Sequence, residues 1–206
     1  MNAPDPNSTA AVQRLLDLIR NGDRSAVETL LNVTTQRLTA LARKVLGNIP
    51  HVRRFEQTDD LLQNSMVRLW KAFDRHAPQT PLDYYRLASS LMRRELIDMS
   101  RHYFGPEGAG ANLAVDPQAG ADQSAMESPI DLESDETSEP VKLGRWTEFH
   151  EYVDALPDED RTLFDLLWYQ GLTLDEAAVL MDSSERTVRR RWKAARMMVY
   201  EKLMEP

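Results

Sequence analysis

Apolar residues recur along this chain at helical spacing, three or four apart, and no stretch alternates over a strand length. Val12, Leu15, Leu16 and Ile19 mark a helix over 9–21, with Gly22 as its stop. A second helix runs over 25–46 on Val27, Leu30, Leu31, Leu38, Leu41, Ala42 and Val45, with a break near Val33-Thr34-Thr35. Residues 51–57 form a connector. Thr58 is an N-cap, and Asp59 and Asp60 suit the positive end of the helix that follows. That helix reaches Phe73 and carries Leu61, Leu62, Met66, Leu69, Trp70 and Phe73 on its apolar side. A long helix over 82–103 has Tyr84, Leu87, Ala88, Leu91, Met92, Leu96 and Ile97 inward.

The pattern vanishes at Gly105. Residues 105–140 are rich in Gly, Pro, Ser and Ala, are acidic, and read as a flexible linker. Helical periodicity resumes near Trp146 and stops at Pro157. One helix is then expected over 158–170, ending at Gly171. Thr173 and Glu176 form a capping box for the next. A last helix carries Val188, Trp192, Ala195, Val199 and Leu203 as one stripe. The fold class is all-α: two small helical domains joined by an acidic linker. The expected boundaries are 1–8 disordered, 9–104 first domain, 105–144 linker and 145–206 second domain.

The net charge of −8 argues against nucleic acid as a partner until it is divided along the chain. Residues 1–104 are net +4, 105–144 net −8 and 145–206 net −4. From Ser184 to Lys202, seven cations face two acids. A concentrated basic stripe counts for more at DNA than the global sum. A short helix, a tight turn and a basic second helix make a helix-turn-helix, whose second helix enters the major groove. Arg186, Arg189, Arg190 and Lys193 lie toward its base-reading end, while Trp192, on the apolar stripe, belongs to the core. In the long helix, Arg93, Arg94, Arg101 and His102 precede Tyr103 and Phe104. Charge beside aromatic platforms suits single-stranded DNA. Asp98 is spaced to pair with Arg94 or Arg101.

Other chemistry lacks a framework. Cysteine is absent, which removes disulfides and thiolate metal sites and fits a reducing cytoplasm. The four histidines are scattered, and no nucleophile motif or phosphate-binding loop occurs. Asp59 and Asp60 are explained by capping rather than by hydrolytic chemistry. No apolar run reaches the roughly 20 residues of a membrane span, and the first residues lack a secretory pattern.

Two blocks in sequence order resemble the sigma-70 factors of bacterial RNA polymerase, of the extracytoplasmic-function type. TDDLLQNSMVRLWKAF is similar to region 2.2 of that family, and LASSLMRRELIDMSRHYFG to regions 2.3 and 2.4. The stretch from Leu156-Pro157 through Arg161, Gly171-Leu172-Thr173, Glu176-Ala177-Ala178 and Thr187-Val188 resembles region 4. Leu87 and Arg94 stand where the family often has Trp and Asn. Asp182 and Ser183 stand where a Gly and an aliphatic residue are usual.

The resemblance implies a dissociable specificity subunit without catalytic, cofactor or metal residues and without a small-molecule substrate. Asp60, Leu61, Gln63, Asn64, Arg68 and Trp70 would meet the core enzyme's clamp coiled coil. Arg93, Arg94, Arg101, His102 and Tyr103 would capture the −10 element. Ser184, Arg186, Thr187, Arg189, Arg190 and Lys193 would hold the −35 element. The implied partners are core RNA polymerase, promoter DNA and an anti-sigma factor. The competing reading is a stand-alone helix-turn-helix regulator whose first domain senses or dimerises.

Overall fold

A computed structural model describes residues 8–46, 66–68, 70–73, 75, 78–104 and 139–204. Those residues are helical with short connections and include no strand. The elements are α1 (Thr9–Arg20), α2 (Arg24–Leu46), α3 (Pro81–Phe104), α4 (Glu139–Asp154), α5 (Asp158–Leu163), a π-helical turn (Phe164–Tyr169), α6 (Leu174–Leu180) and α7 (Glu185–Met204). Residues 66–68 and 70–73 are also helical.

Local chemistry explains most of the ends. The Ser8 hydroxyl accepts from the Ala11 N–H at 3.3 Å and caps α1. The helix closes in a Schellman motif, with Gly22 at φ 89° and the Asp23 N–H donating to the Leu18 carbonyl at 3.0 Å. Thr80 and Asp83 cap α3 reciprocally, and Pro81 occupies its first position. The capping box at Thr173 and Glu176 forms as the spacing predicts.

Three elements differ from the sequence expectation. α2 has no break at Val33-Thr34-Thr35. The Thr34 and Thr35 hydroxyls donate to the Leu30 and Leu31 carbonyls one turn back, at 2.9 and 2.8 Å, and so remain satisfied inside a continuous helix. α4 begins at Glu139, within the segment expected as linker. Pro140 sits in its first turn, where the missing N–H costs nothing. The helix expected over 158–170 changes register at Phe164, where the Gln170 N–H reaches five residues back to the Asp165 carbonyl at 3.1 Å.

Packing joins the two ends of the chain. One core cluster places Leu38, Met92 and Leu96 against Phe149, Val153, Phe164 and Tyr169. A second places Leu16, Tyr84, Tyr85 and Ala88 with Leu163, Leu166, Ala177 and Val188. Most described positions of the apolar stripes are buried or half-buried, but much of the first block's stripe is covered by the second block. The long helix α3 lies between them, with α4 and the π turn packed along it.

Candidate nucleic-acid interface

The turn between α6 and α7 is built by the same device that closes α1. Asp182 takes φ 47° in the position Gly22 fills earlier. The Ser183 N–H donates to the Ala178 carbonyl at 2.9 Å, and the Asp182 N–H to the Val179 carbonyl at 3.3 Å. Both bonds of a Schellman motif are present, so the aspartate sustains the turn despite the steric cost of its Cβ. Ser183 is exposed. Ser184 then caps α7, its hydroxyl accepting from the Thr187 N–H at 3.2 Å.

α7 buries Val188, Ala195 and Val199. Trp192 joins this inner side, edge-on to Phe164 with ring centroids 4.7 Å apart. It is a packing residue, and the Arg196 guanidinium lies 5.8 Å from its ring. The cations divide into two sets. Arg189 is ion-paired with Glu185, and Arg191 with Glu159. Arg186, Arg190 and Lys193 are exposed, and among the described residues they have no acid at ion-pair distance. Their i, i+4, i+7 spacing places them on one face of α7. Ser184 and Thr187 lie at its N-terminal end, their hydroxyls 2.9 Å apart.

The second expected site is arranged differently. Arg93 is 2% exposed rather than part of a basic surface strip. Its Nη1 donates to Asp165 at 2.7 Å and its Nε to Asp154 at 3.1 Å. The guanidinium also lies 5.1 Å from the Tyr169 ring centroid. Arg94 is exposed, whereas Arg101 donates to Glu151 at 2.6 Å. His102 and Tyr103 belong to the last turn of α3, and their side chains lie outside the described residues. Asp98 pairs neither with Arg94 nor with Arg101. It accepts from Arg68 at 3.3 Å, and the same guanidinium nitrogen meets the buried Glu95 carboxylate at 2.7 Å.

Of the expected polymerase face, Asp60, Leu61, Gln63 and Asn64 lie outside the described residues. Arg68 is drawn toward α3 by those two acids. Trp70, expected on the apolar side, is 41% exposed beside Val67 at 52%. An open groove between α3 and α4 is lined by Arg68, Arg94, Ile97, Asp98, Arg101, Glu151, Asp154 and Ala155.

A buried polar network was missed by the pattern. Ser89 donates to the Asp165 carbonyl at 3.0 Å, and Gln170 donates to the Ser89 hydroxyl at 2.9 Å. Arg37 donates to the Gln170 amide oxygen at 2.8 Å, and Arg86 to the Thr162 hydroxyl at 3.0 Å. Burial pushes the Asp165 carboxyl up, while the Arg93 guanidinium opposes that shift. His150, wholly enclosed and 2.7 Å from the Tyr169 hydroxyl, is lowered to about 3, chiefly by burial and then by Arg93. The usable signal was an acid, Asp165, set in the apolar run TLFDLLWY.

Comparison with known proteins bears on the whole of this arrangement. A family model described as ECF sigma factor matches residues 9–205. The chain is also 23% identical over 185 residues to a protein of Xanthomonas campestris pv. campestris named "Probable RNA polymerase sigma factor RfaY". That match covers 89% of this chain but 42% of the relative, so the chain spans less than half the length of the curated protein it matches.

Proposed function

Because the chain belongs to the ECF sigma factor family, we propose that it binds core RNA polymerase and directs initiation at promoters, α7 holding the −35 element and α3 the −10 element. The single observation that carries the −35 assignment is the exposed face of Arg186, Arg190 and Lys193 on a helix presented by a closed turn. Arginine there can bond bidentately to guanine O6 and N7, and lysine reaches the same atoms. Arg189, drawn aside by Glu185, is better placed for backbone phosphate. Ser184 and Thr187 add hydroxyls at the end of the helix nearest the bases.

On α3, Arg94 and Arg101 supply charge toward a melted −10 strand, with His102 and Tyr103 following as stacking groups. Arg93 joins them only when α3 is uncovered. Exposed Trp70 and Val67 support a polymerase contact on the helix that precedes α3. Arg68 serves there as a brace to Glu95 and Asp98. The two blocks act as separate domains, 9–104 and 145–206, once both are engaged on polymerase. The site of action is the cytoplasm, where the polymerase is, and an anti-sigma protein is a further partner. No described helix is long and apolar enough to cross a membrane.

Run-off transcription with core polymerase tests the reading. Addition of this protein yields new transcripts from a subset of promoters. Failure to form a complex with core enzyme at low salt contradicts it. DNA binding by the protein alone, with no complex, returns the stand-alone regulator.

A further inference from the structure

Seven cations and two acids occupy the chain from Ser184 to Lys202, and the two acids stand in unlike places. Glu201 lies about 24 Å along α7, far from the end that enters a groove. Glu185 is the first residue of α7, between Ser184 and Arg186, and its side chain is 42% exposed. A carboxylate at that end is repelled by the phosphates that border the groove, so it weakens binding to arbitrary DNA. The penalty falls on every sequence alike unless a base offers something in return.

The side chain is arranged for such an exchange. Side chains on a helix lean toward its N-terminus, so Arg189 reaches back one turn to Glu185. There its Nη2 donates to Glu185 Oε1. The pair holds the carboxylate in one orientation and offsets part of its charge. Among the described residues no donor meets the second oxygen, Oε2. The neighbouring cations Arg186, Arg190 and Lys193 carry donors alone. The hydroxyls of Ser184 and Thr187 lie against each other at 2.9 Å. Glu185 is therefore the one charged acceptor at the base-reading end. The base edges divide by the same chemistry. Guanine presents N7 and O6 and thymine presents O4, acceptors that a carboxylate repels. Adenine sets its amine beside the N7 acceptor, and cytosine offers its N4 amine alone.

We infer that Glu185 is a specificity-determining residue: its Oε2 accepts from the N4 amine of a cytosine at one position of the upstream element and rejects guanine and thymine there, while Arg189 braces it from the backbone side. The inference rests on the reading of α7 as the −35 face. It adds recognition by exclusion, which the three open cations do not supply, because arginine and lysine favour guanine. It also gives the Arg189–Glu185 pair a division of labour, the arginine toward phosphate and the acid toward a base.

The test selects transcribed templates from a library randomised in the upstream element, using core polymerase and the full chain. The wild-type chain selects cytosine at one position. Glu185→Gln, which keeps the shape and removes the charge, lowers the preference for cytosine over guanine and thymine there by about fivefold or more. The other positions keep their preferences. Glu185→Lys replaces the acceptor with a donor and turns the preference at that same position to guanine, a change that a purely structural role for Glu185 does not produce. Arg189→Gln weakens all templates alike and lowers the salt dependence of promoter binding by about 0.9 in the log–log slope, with cytosine still preferred. Unchanged preferences in Glu185→Gln and Glu185→Lys, or uniform weakening of all templates in both, overturn the inference and leave α7 standing as the −35 reader. Absence of any upstream preference with the wild-type chain removes the −35 reading itself, and this inference with it.

Discussion

α3 and α7 both carry arginines, four and five, and differ in how they present them. On α7 the apolar stripe is continuous, so Arg186, Arg190 and Lys193 are left outside it. On α3 an arginine falls within the buried side, four residues after Ser89 and three before Leu96. There a cation is retained only because Asp165 and Asp154 accompany it. The difference teaches that the register of a charge against the apolar stripe matters more than the number of charges. α7 leaves three cations open to solvent, whereas the buried cation of α3 has its partners supplied from within.

The sharpest way to break this comparison is to remove the buried cation. Arg93→Met leaves Asp165 enclosed without its partner and should cost about 3–5 kcal/mol of unfolding free energy in denaturant titration. The double variant Arg93→Met/Asp165→Leu should recover much of that loss, because an apolar pair needs no desolvation. The equivalent change on α7, Arg190→Met, should alter stability by less than about 0.5 kcal/mol.

Acid tests the buried side next. His150 has a folded pKa of about 3 against an ordinary value near 6.5. Between those values the unfolded chain binds a proton that the folded chain refuses. Stability from this group is therefore full above about pH 6.5 and is lost as pH falls toward 3, by up to roughly 4 kcal/mol. Denaturation from pH 7 to pH 4 should show the decline, and His150→Phe should flatten it.

On the open helix the effect is on DNA and not on folding. Arg190→Ala should lower −35-dependent transcription about tenfold or more, the equivalent of one lost base contact of about 1–3 kcal/mol, with the melting temperature unchanged. The smallest effect is at the turn. Asp182→Gly should stabilise by up to about 1 kcal/mol, because glycine adopts positive φ without a Cβ clash. Thermal unfolding measures it.

The legible parts of the fold were those set by neighbours in sequence. The capping box at Thr173 and Glu176 and the stop at Gly22 follow from local hydrogen bonding. So does the inward side of α7, which a single stripe defines. The break expected at Val33-Thr34-Thr35 misjudged threonine, whose hydroxyls turned back onto the same helix. The start of α4 was hidden by Pro140 and Gly144, which read as linker composition. The π turn leaves no mark in a 3.6-residue pattern that tolerates one extra residue. The exposure of the basic face of α7 was legible for the same local reason. The burial of Arg93 was not, because a cation was read as surface and the acid that pays for its burial lies 72 residues away.

The central claim is that the exposed face of α7 reads promoter bases on behalf of polymerase. Its most direct test is selection of transcribed templates from a library randomised in the upstream element, using core polymerase with the wild-type chain or with Arg190→Ala. The account predicts protein-dependent transcripts with a base preference in that element, relaxed by Arg190→Ala at one position and preserved at the others. Identical preferences with both proteins, or none with either, would contradict it.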